Sequence, residues 1–339
     1  MATVPEPVSN PPAHDRRRTP RGAASSAGPR PDRERGVFET LLVLGGHPVE
    51  LDAHLARLTA SLVELFPSHS PPPLHVPSPM HPYGRPSDGT SAGDSPGALR
   101  ITVAPGDGGE LKARIEQWDA PRGGFLSLCD KKSPRSEVSL RSLTLAGGLG
   151  AHKWADRSLL DEAQAELADG ALPLIVDEDG TVLEAARANV FAVRDGALAT
   201  PPTDGRILAG VTRMRVLEIA GAMGVDLREG PLTRDDLLAA DDVFLTGSIR
   251  GIERVDSLDG RPLNCRGEVA NRVSAELWSV WRNAKKSGKS PEQNERESGE
   301  PDDQAGRSRD ESRVAALRGI SGRGRIAQRH SASSGPRSF

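Results

Sequence analysis

Between an opening and a closing stretch without apolar rhythm, the chain alternates strand-like and helix-like patterns from Gly36 to Ala284. Val37–Leu44 (VFETLLVL) is rich in β-formers and ends at Gly45-Gly46, a turn signal, so HPVEL is expected to return as a second short strand. Asp52 is placed to cap a helix over AHLARLTASLVELF, where Leu55, Leu58, Leu62 and Leu65 share a face. LRITVA (99–104) reads as a strand, and WDAPRGG (118–124) as a hinge between two halves. The second half opens with the strand FLSLCD, then a helix over 158–167 with Leu159, Leu160, Ala163 and Leu167 turned inward. LPLIVD, TVLEAA, NVFAV and ALAT follow as strands. Asp179-Gly180 and Asp195-Gly196 fall between them, which predicts antiparallel hairpins. Gly210-Val211-Thr212 opens a helix over 213–223, a short helix lies near Leu237, DVFLTG is a strand, and 269–281 is an amphipathic helix. Helices and strands mix without strict βαβ alternation, so the fold class expected is α+β.

Composition trims the chain. Of the 28 prolines, seven lie in residues 1–35 and nine between Pro67 and Pro96. Both stretches are rich in Ser and Gly and too poor in large apolar residues to offset their ordering entropy. Residues 285–339 are polar throughout and read as a disordered tail. The expected organisation is a disordered segment over 1–35, a small domain over 36–120 with a Pro-rich insert at 67–97, a large domain over 121–284, and the tail. The net charge of −3 divides into +4 on the tail and −7 elsewhere, a poor surface for nucleic acid. The two cysteines, Cys129 and Cys265, have no metal-ligand spacing, so no metal is expected, and their scarcity fits a reducing cytoplasm. No apolar run reaches the ~20 residues of a membrane span, and the Pro- and Arg-rich start is no secretory signal.

Several residues could carry chemistry. Lys153 follows the small, apolar approach LTLAGGLGAH and precedes Trp154. Such surroundings disfavour the ammonium and make the amine a better nucleophile, although a lysine near a helix start is more often an exposed one. Glu184 lies in the apolar strand TVLEAA, where a carboxylate is either at an edge or paired with a buried cation. Arg57 on AHLARL is either a surface arginine or a fork for phosphate oxygens. Gly210-Val211-Thr212 offers the free N–H groups of a helix start, and Thr246-Gly247-Ser248 another turn after a strand.

Taken together and in this order, RGVFETLLV, LDAHLARL, AHKWADR, VLEAARANVF, GRILAGVTR and VFLTGSIRG resemble the class IV aminotransferases. These are fold-type IV pyridoxal 5'-phosphate enzymes that include branched-chain and D-amino-acid transaminases and aminodeoxychorismate lyase. The resemblance implies a small N-terminal α/β domain, a larger β-barrel-like domain with helices, and a homodimer acting on a small-molecule amine. It implies that Lys153 is the Schiff-base lysine and proton shuttle, and that Glu184 bonds the pyridine nitrogen. Asn189 completes the family's Glu-Ala-Ser-x-x-Asn pattern, with Ala186 at the serine place. Arg57, the Val211 and Thr212 amides and Ser248 would hold the phosphate, while Phe38, Thr40 and Arg157 would line the substrate pocket.

Within the family, the wording is most similar to the lyase members, which release 4-aminobenzoate and pyruvate. The alternatives are an amino-acid transaminase and a cofactor-binding protein without turnover; nucleic-acid binding by the tail is a further, separate possibility. Three stretches depart from the family pattern: the segment before VFET, the Pro-rich insert and the tail.

Overall fold

The structure is a computed structural model describing residues 30–76, 96–120, 138–167, 170–264 and 266–287, the last four by backbone alone. The expected FLSLCD strand with Cys129, Cys265, most of the Pro-rich stretch and most of both terminal segments lie outside the described residues.

Four strands make the first sheet, β1 (Val37–Leu44), β2 (His47–Pro48), β3 (Gly97–Pro105) and β4 (Leu111–Asp119), antiparallel in the order β2-β1-β3-β4. Seven of the eight β1 residues are buried because both faces of the strand are covered. Val37, Leu41 and Val43 pack with Leu58, Leu62 and Phe66, whereas Leu42 and Leu44 join a cluster with Phe191, Val216 and Trp281. A near-continuous apolar run is what a doubly covered strand requires.

The helix α1 (Leu51–Leu65) supplies Leu58 and Leu62 to that core, with Leu55 and Leu65 partly buried against it. Asp52 does not cap it. The N-cap is Glu50, in a left-handed conformation (φ 54°) with no side-chain capping bond, and Asp52 sits in the first turn. The Glu50 carboxylate is used elsewhere: it accepts Arg215 Nε at 2.9 Å and Nη2 at 3.1 Å, and Trp281 Nε1 at 3.3 Å. This left-handed turn also ends β2 after Pro48, short of the predicted HPVEL strand. β4 was not foreseen. It carries Lys112, Arg114 and Glu116 on an edge where they meet solvent, and it runs through Trp118 and Asp119, the start of the expected hinge.

Ten strands form the second sheet. They are β5 (Val138–Thr144), β6 (Leu172–Val176), β7 (Thr181–Ala185), β8 (Asn189–Arg194), β9 (Ala197–Thr200), β10 (Leu227–Glu229), β11 (Leu232–Thr233), β12 (Asp242–Gly247), β13 (Gly251–Leu258) and β14 (Arg261–Pro262). The path is β10-β9-β8-β12-β13-β5-β6-β7-β11, with β14 on β13. Both Asp-Gly steps close antiparallel hairpins, β6–β7 and β8–β9, as their sequence predicts. β5 and β13 were missed, and they pair in parallel across the middle of the sheet. Leu140, Leu174, Val182, Val190, Val243 and Val255 meet in one cluster although six strands supply them, so the sheet curls around it. Alternate residues Phe191, Val193, Phe244 and Ile252 face outward onto α3 (Val211–Ala222) and α5 (Glu268–Ser287), the period-two signature of a sheet covered on both sides. The helices α2 (Ser158–Ala165) and α4 (Arg234–Ala239) complete the fold; α2 stops short of the predicted 167 and α5 runs past 281.

Candidate active site

Lys153 sits in the loop between β5 and α2, and β1 pins that loop. Phe38 N–H donates to Lys153 O at 2.9 Å and Ala155 N–H to Gly36 O at 3.0 Å, with Val37 and Trp154 bridged between them. Gly36 is required: at φ 76° a Cβ would collide with Val103 O. Trp154 Nε1 donates to Leu149 O at 2.9 Å, which fixes the ring beside the lysine. Lys153 Nζ then lies 4.9 Å from the Phe38 ring centroid. Burial, the Arg57 guanidinium and, less strongly, Arg157 lower its pKa to about 8.

Glu184 comes from β7, turned inward, and Asn189 begins β8 after a tight turn in which Ala185 N–H donates to Ala188 O at 2.9 Å. Leu208 N–H reaches both Glu184 oxygens at 3.3 Å, and Asn189 Nδ2 lies 3.5 Å from Oε2 while donating to Leu208 O at 2.9 Å. Burial raises the Glu184 pKa to about 8, with the Leu208 amide and Lys153 pulling the other way. An acid whose pKa is raised and an amine whose pKa is lowered therefore share one enclosure.

The α3 N-terminus forms the far wall. Gly210 caps it without any side-chain bond, and a Cβ there would collide with Asn189 Oδ1, so the glycine lets β8 and the helix start meet. The first-turn amides have no intrahelical acceptor. Thr212 Oγ1 and Thr246 Oγ1 are buried without a hydrogen-bond partner among the described residues. Arg57 enters from α1, donating Nη1 to Ala209 O at 2.7 Å, while Nε and Nη2 grip the Glu39 oxygens at 2.8 and 2.7 Å. His54 Nδ1 contacts Glu39 Oε2 at 2.7 Å. Against the upward pull of burial, Arg57 and His54 hold the Glu39 pKa at about 2, and burial lowers that of His54.

Arg57, Lys153, Glu184, Asn189, Val211, Thr212 and Ser248 all line one cavity of about 220 Å³. Phe38, Thr40 and Arg157 line an adjoining cavity of about 360 Å³, which shares Lys153, Arg157, Arg187, Ala188, Gly247 and Ser248 with the first. The structure thus brings together every residue singled out from the sequence. Sequence reasoning missed Glu39 and His54, which hold Arg57; the signals were a carboxylate inside the apolar run VFETLLV and the i,i+3 spacing of His54 and Arg57. It also missed Arg100 and Arg250 in the adjoining cavity and Arg187, which lines both.

Residues 153–258 match the family described as amino-transferase class IV. Over those residues the chain is similar to the class IV aminotransferases. The branched-chain-amino-acid aminotransferase of Escherichia coli (strain K12) is 39% identical over 111 residues, which are 32% of this chain and 36% of that protein. The curated relatives are matched over less than half their length. Among solved structures, a hypothetical aminotransferase from Mycobacterium tuberculosis with alpha-ketoglutarate and PMP bound superposes with a TM-score of 0.59 at 26% identity, covering 74% of this chain and 89% of that one. A Legionella pneumophila protein described as a candidate 4-amino-4-deoxychorismate lyase has a TM-score of 0.58 at 20% identity, covering 76% and 96%; at that identity the likeness speaks to fold. The α+β, two-sheet architecture is the fold-type IV architecture.

Proposed function

We propose that the smaller cavity holds pyridoxal 5'-phosphate and that the enzyme is a 4-amino-4-deoxychorismate lyase, releasing 4-aminobenzoate and pyruvate. The observation that carries the cofactor reading is the enclosure of Lys153 and Glu184 together, each with a pKa of about 8. The residues fit the group. Thr212 Oγ1 lacks a partner beside free helix-start amides, and Arg57 stands ready-aligned by Glu39, a set of donors suited to a phosphate. When bound, the cofactor supplies an aldehyde for amine condensation and a ring that withdraws electrons from the substrate carbon. Lys153 Nζ would hold the cofactor and, once freed by the incoming amine, would accept the proton from the substrate carbon that bears nitrogen; a pKa lowered to about 8 suits that exchange. Glu184, oriented by Leu208 N–H and Asn189 Nδ2, would be the group that shares a proton with the ring nitrogen. Trp154 and Phe38 keep water from the amine. For the lyase, the proton taken is balanced by one given to the methylene carbon of the departing enolpyruvyl group, and aromatisation of the ring drives departure.

The adjoining cavity supports an acidic substrate over a branched aliphatic one, because Arg100, Arg157, Arg187 and Arg250 line it. Identity with the E. coli branched-chain aminotransferase favours a transaminase as the second reading. Purified protein given pyridoxal phosphate and 4-amino-4-deoxychorismate separates them. Pyruvate released with no amino acceptor present supports the lyase; no pyruvate, with amino transfer to 2-oxoglutarate, replaces it by the transaminase.

A further inference from the structure

We propose that Arg187 and Arg250, joined through Glu253, form a fork for a carboxylate remote from the reacting amine, so that the site selects substrates bearing two carboxylates. This rests on reading the smaller cavity as the cofactor site. Arg187 lies in the turn between β7 and β8 and Arg250 in the turn between β12 and β13, neighbouring strands of the curled sheet where β8 meets β12. Glu253 is buried on β13 and accepts both: Arg187 Nη2 at 3.2 and 3.3 Å and Arg250 Nη1 at 3.2 Å. One carboxylate against two guanidiniums leaves a positive charge, and each guanidinium keeps donors that Glu253 does not use. Their side chains are 37% and 30% exposed, so those donors remain reachable.

The rest of the cavity adds to the excess. The Arg100 guanidinium carbon lies over Phe38, 4.6 Å from the ring centroid, and 5.8 Å from that of Trp118, with no carboxylate of the described residues paired to it. Arg157 spends Nη2 on Ala186 O at 2.9 Å. Four guanidiniums line this cavity with Glu253 as the carboxylate among its lining residues; like charges so close repel one another, and an anionic ligand relieves that repulsion. Lys153 and Arg250 line the same 360 Å³ cavity, so a ligand with its amine at Lys153 can place a second acid group against the fork. An aliphatic side chain would leave these donors without an anion, which discriminates strongly against it.

The test is calorimetric binding of isophthalate and benzoate to the cofactor-loaded protein, wild type and Arg187→Gln, Arg250→Gln and the double variant. Wild type should prefer the dicarboxylate about tenfold or more, as one charge-assisted bidentate contact allows. The double variant should lose that preference, read only on samples whose absorbance shows cofactor bound. Arg187→Lys with Arg250→Lys, which keeps Glu253 paired and the fold charge-balanced, should retain only part of it. Equal affinity for the two probes in wild type, or an unaltered preference in the double variant, overturns the proposal. Borohydride trapping on the same samples separates the two readings: an adduct at Lys153 without dicarboxylate preference sinks the fork alone, and no adduct sinks the cofactor site beneath it.

Discussion

Replacing Glu184 by Gln in the cofactor-free protein isolates the electrostatic cost of the site. Burial holds the folded carboxyl at a pKa of about 8, against 4.5 for a free glutamate. Between those values the unfolded chain has lost this proton while the folded chain keeps it, so the folded state binds more protons and stability falls as pH rises. At about 1.4 kcal/mol for each pH unit, the gap amounts to roughly 5 kcal/mol at most. Water entering the open cavity screens part of this, leaving an expected ~2–5 kcal/mol. Gln keeps the shape, can accept Leu208 N–H, and does not titrate. Lys153, lowered to about 8, acts in the opposite sense and in a higher window, gaining stability between pH 8 and 10.5. Urea unfolding at pH 4.5 and pH 8 should therefore show wild type losing ~2–5 kcal/mol relative to Glu184→Gln across that interval. Stability curves that stay parallel from pH 4.5 to 8 would refute the buried-acid reasoning.

Other substitutions probe the supports. The same Glu184→Gln variant, loaded with cofactor, should keep its visible absorbance yet lose about 100-fold or more in turnover, since the acid no longer shares a proton with the ring nitrogen; undiminished kcat would remove Glu184 from the mechanism. Glu39→Gln should weaken pyridoxal phosphate binding about tenfold or more and cost roughly 3–5 kcal/mol, because Arg57 and His54 lose their common anion. With its folded pKa held at about 2, Glu39 contributes stability above pH 4.5 that disappears on acidification toward 2, so the variant's acid limb should be flatter. Glu50→Ala should cost about 3 kcal/mol in thermal or urea unfolding, since Arg215 and Trp281 both lean on that carboxylate; an unchanged midpoint would show the pair to be idle.

Much of this molecule could be read from its residues, and the failures have physical causes. β1 and the two Asp-Gly hairpins declared themselves because an apolar run and a φ > 0 turn admit few alternatives. β4 did not, because an edge strand with Lys112, Arg114 and Glu116 looks like a polar loop until its partner β3 is known. β5 (VSLRSLT) and β13 (GIERVDSL) mix polar with apolar residues, and their parallel pairing joins segments more than a hundred residues apart. The helix start was misassigned because Asp52 satisfies a local capping rule, whereas Glu50 answers to Arg215, 165 residues away. The site's Lys153, Glu184 and Arg57 were legible as members of an ordered set of motifs. Glu39 and His54 carry no chemistry of their own, and the arginines of the second cavity lie on separate turns and strands that only folding brings together.

The most direct test of the account reduces the pyridoxal-phosphate-loaded protein with borohydride, digests it and locates the pyridoxyl group by mass spectrometry. A single modified residue, Lys153, is expected, with no adduct in Lys153→Ala. A pyridoxyl group on any other lysine, or none on folded wild-type protein saturated with cofactor, would contradict it.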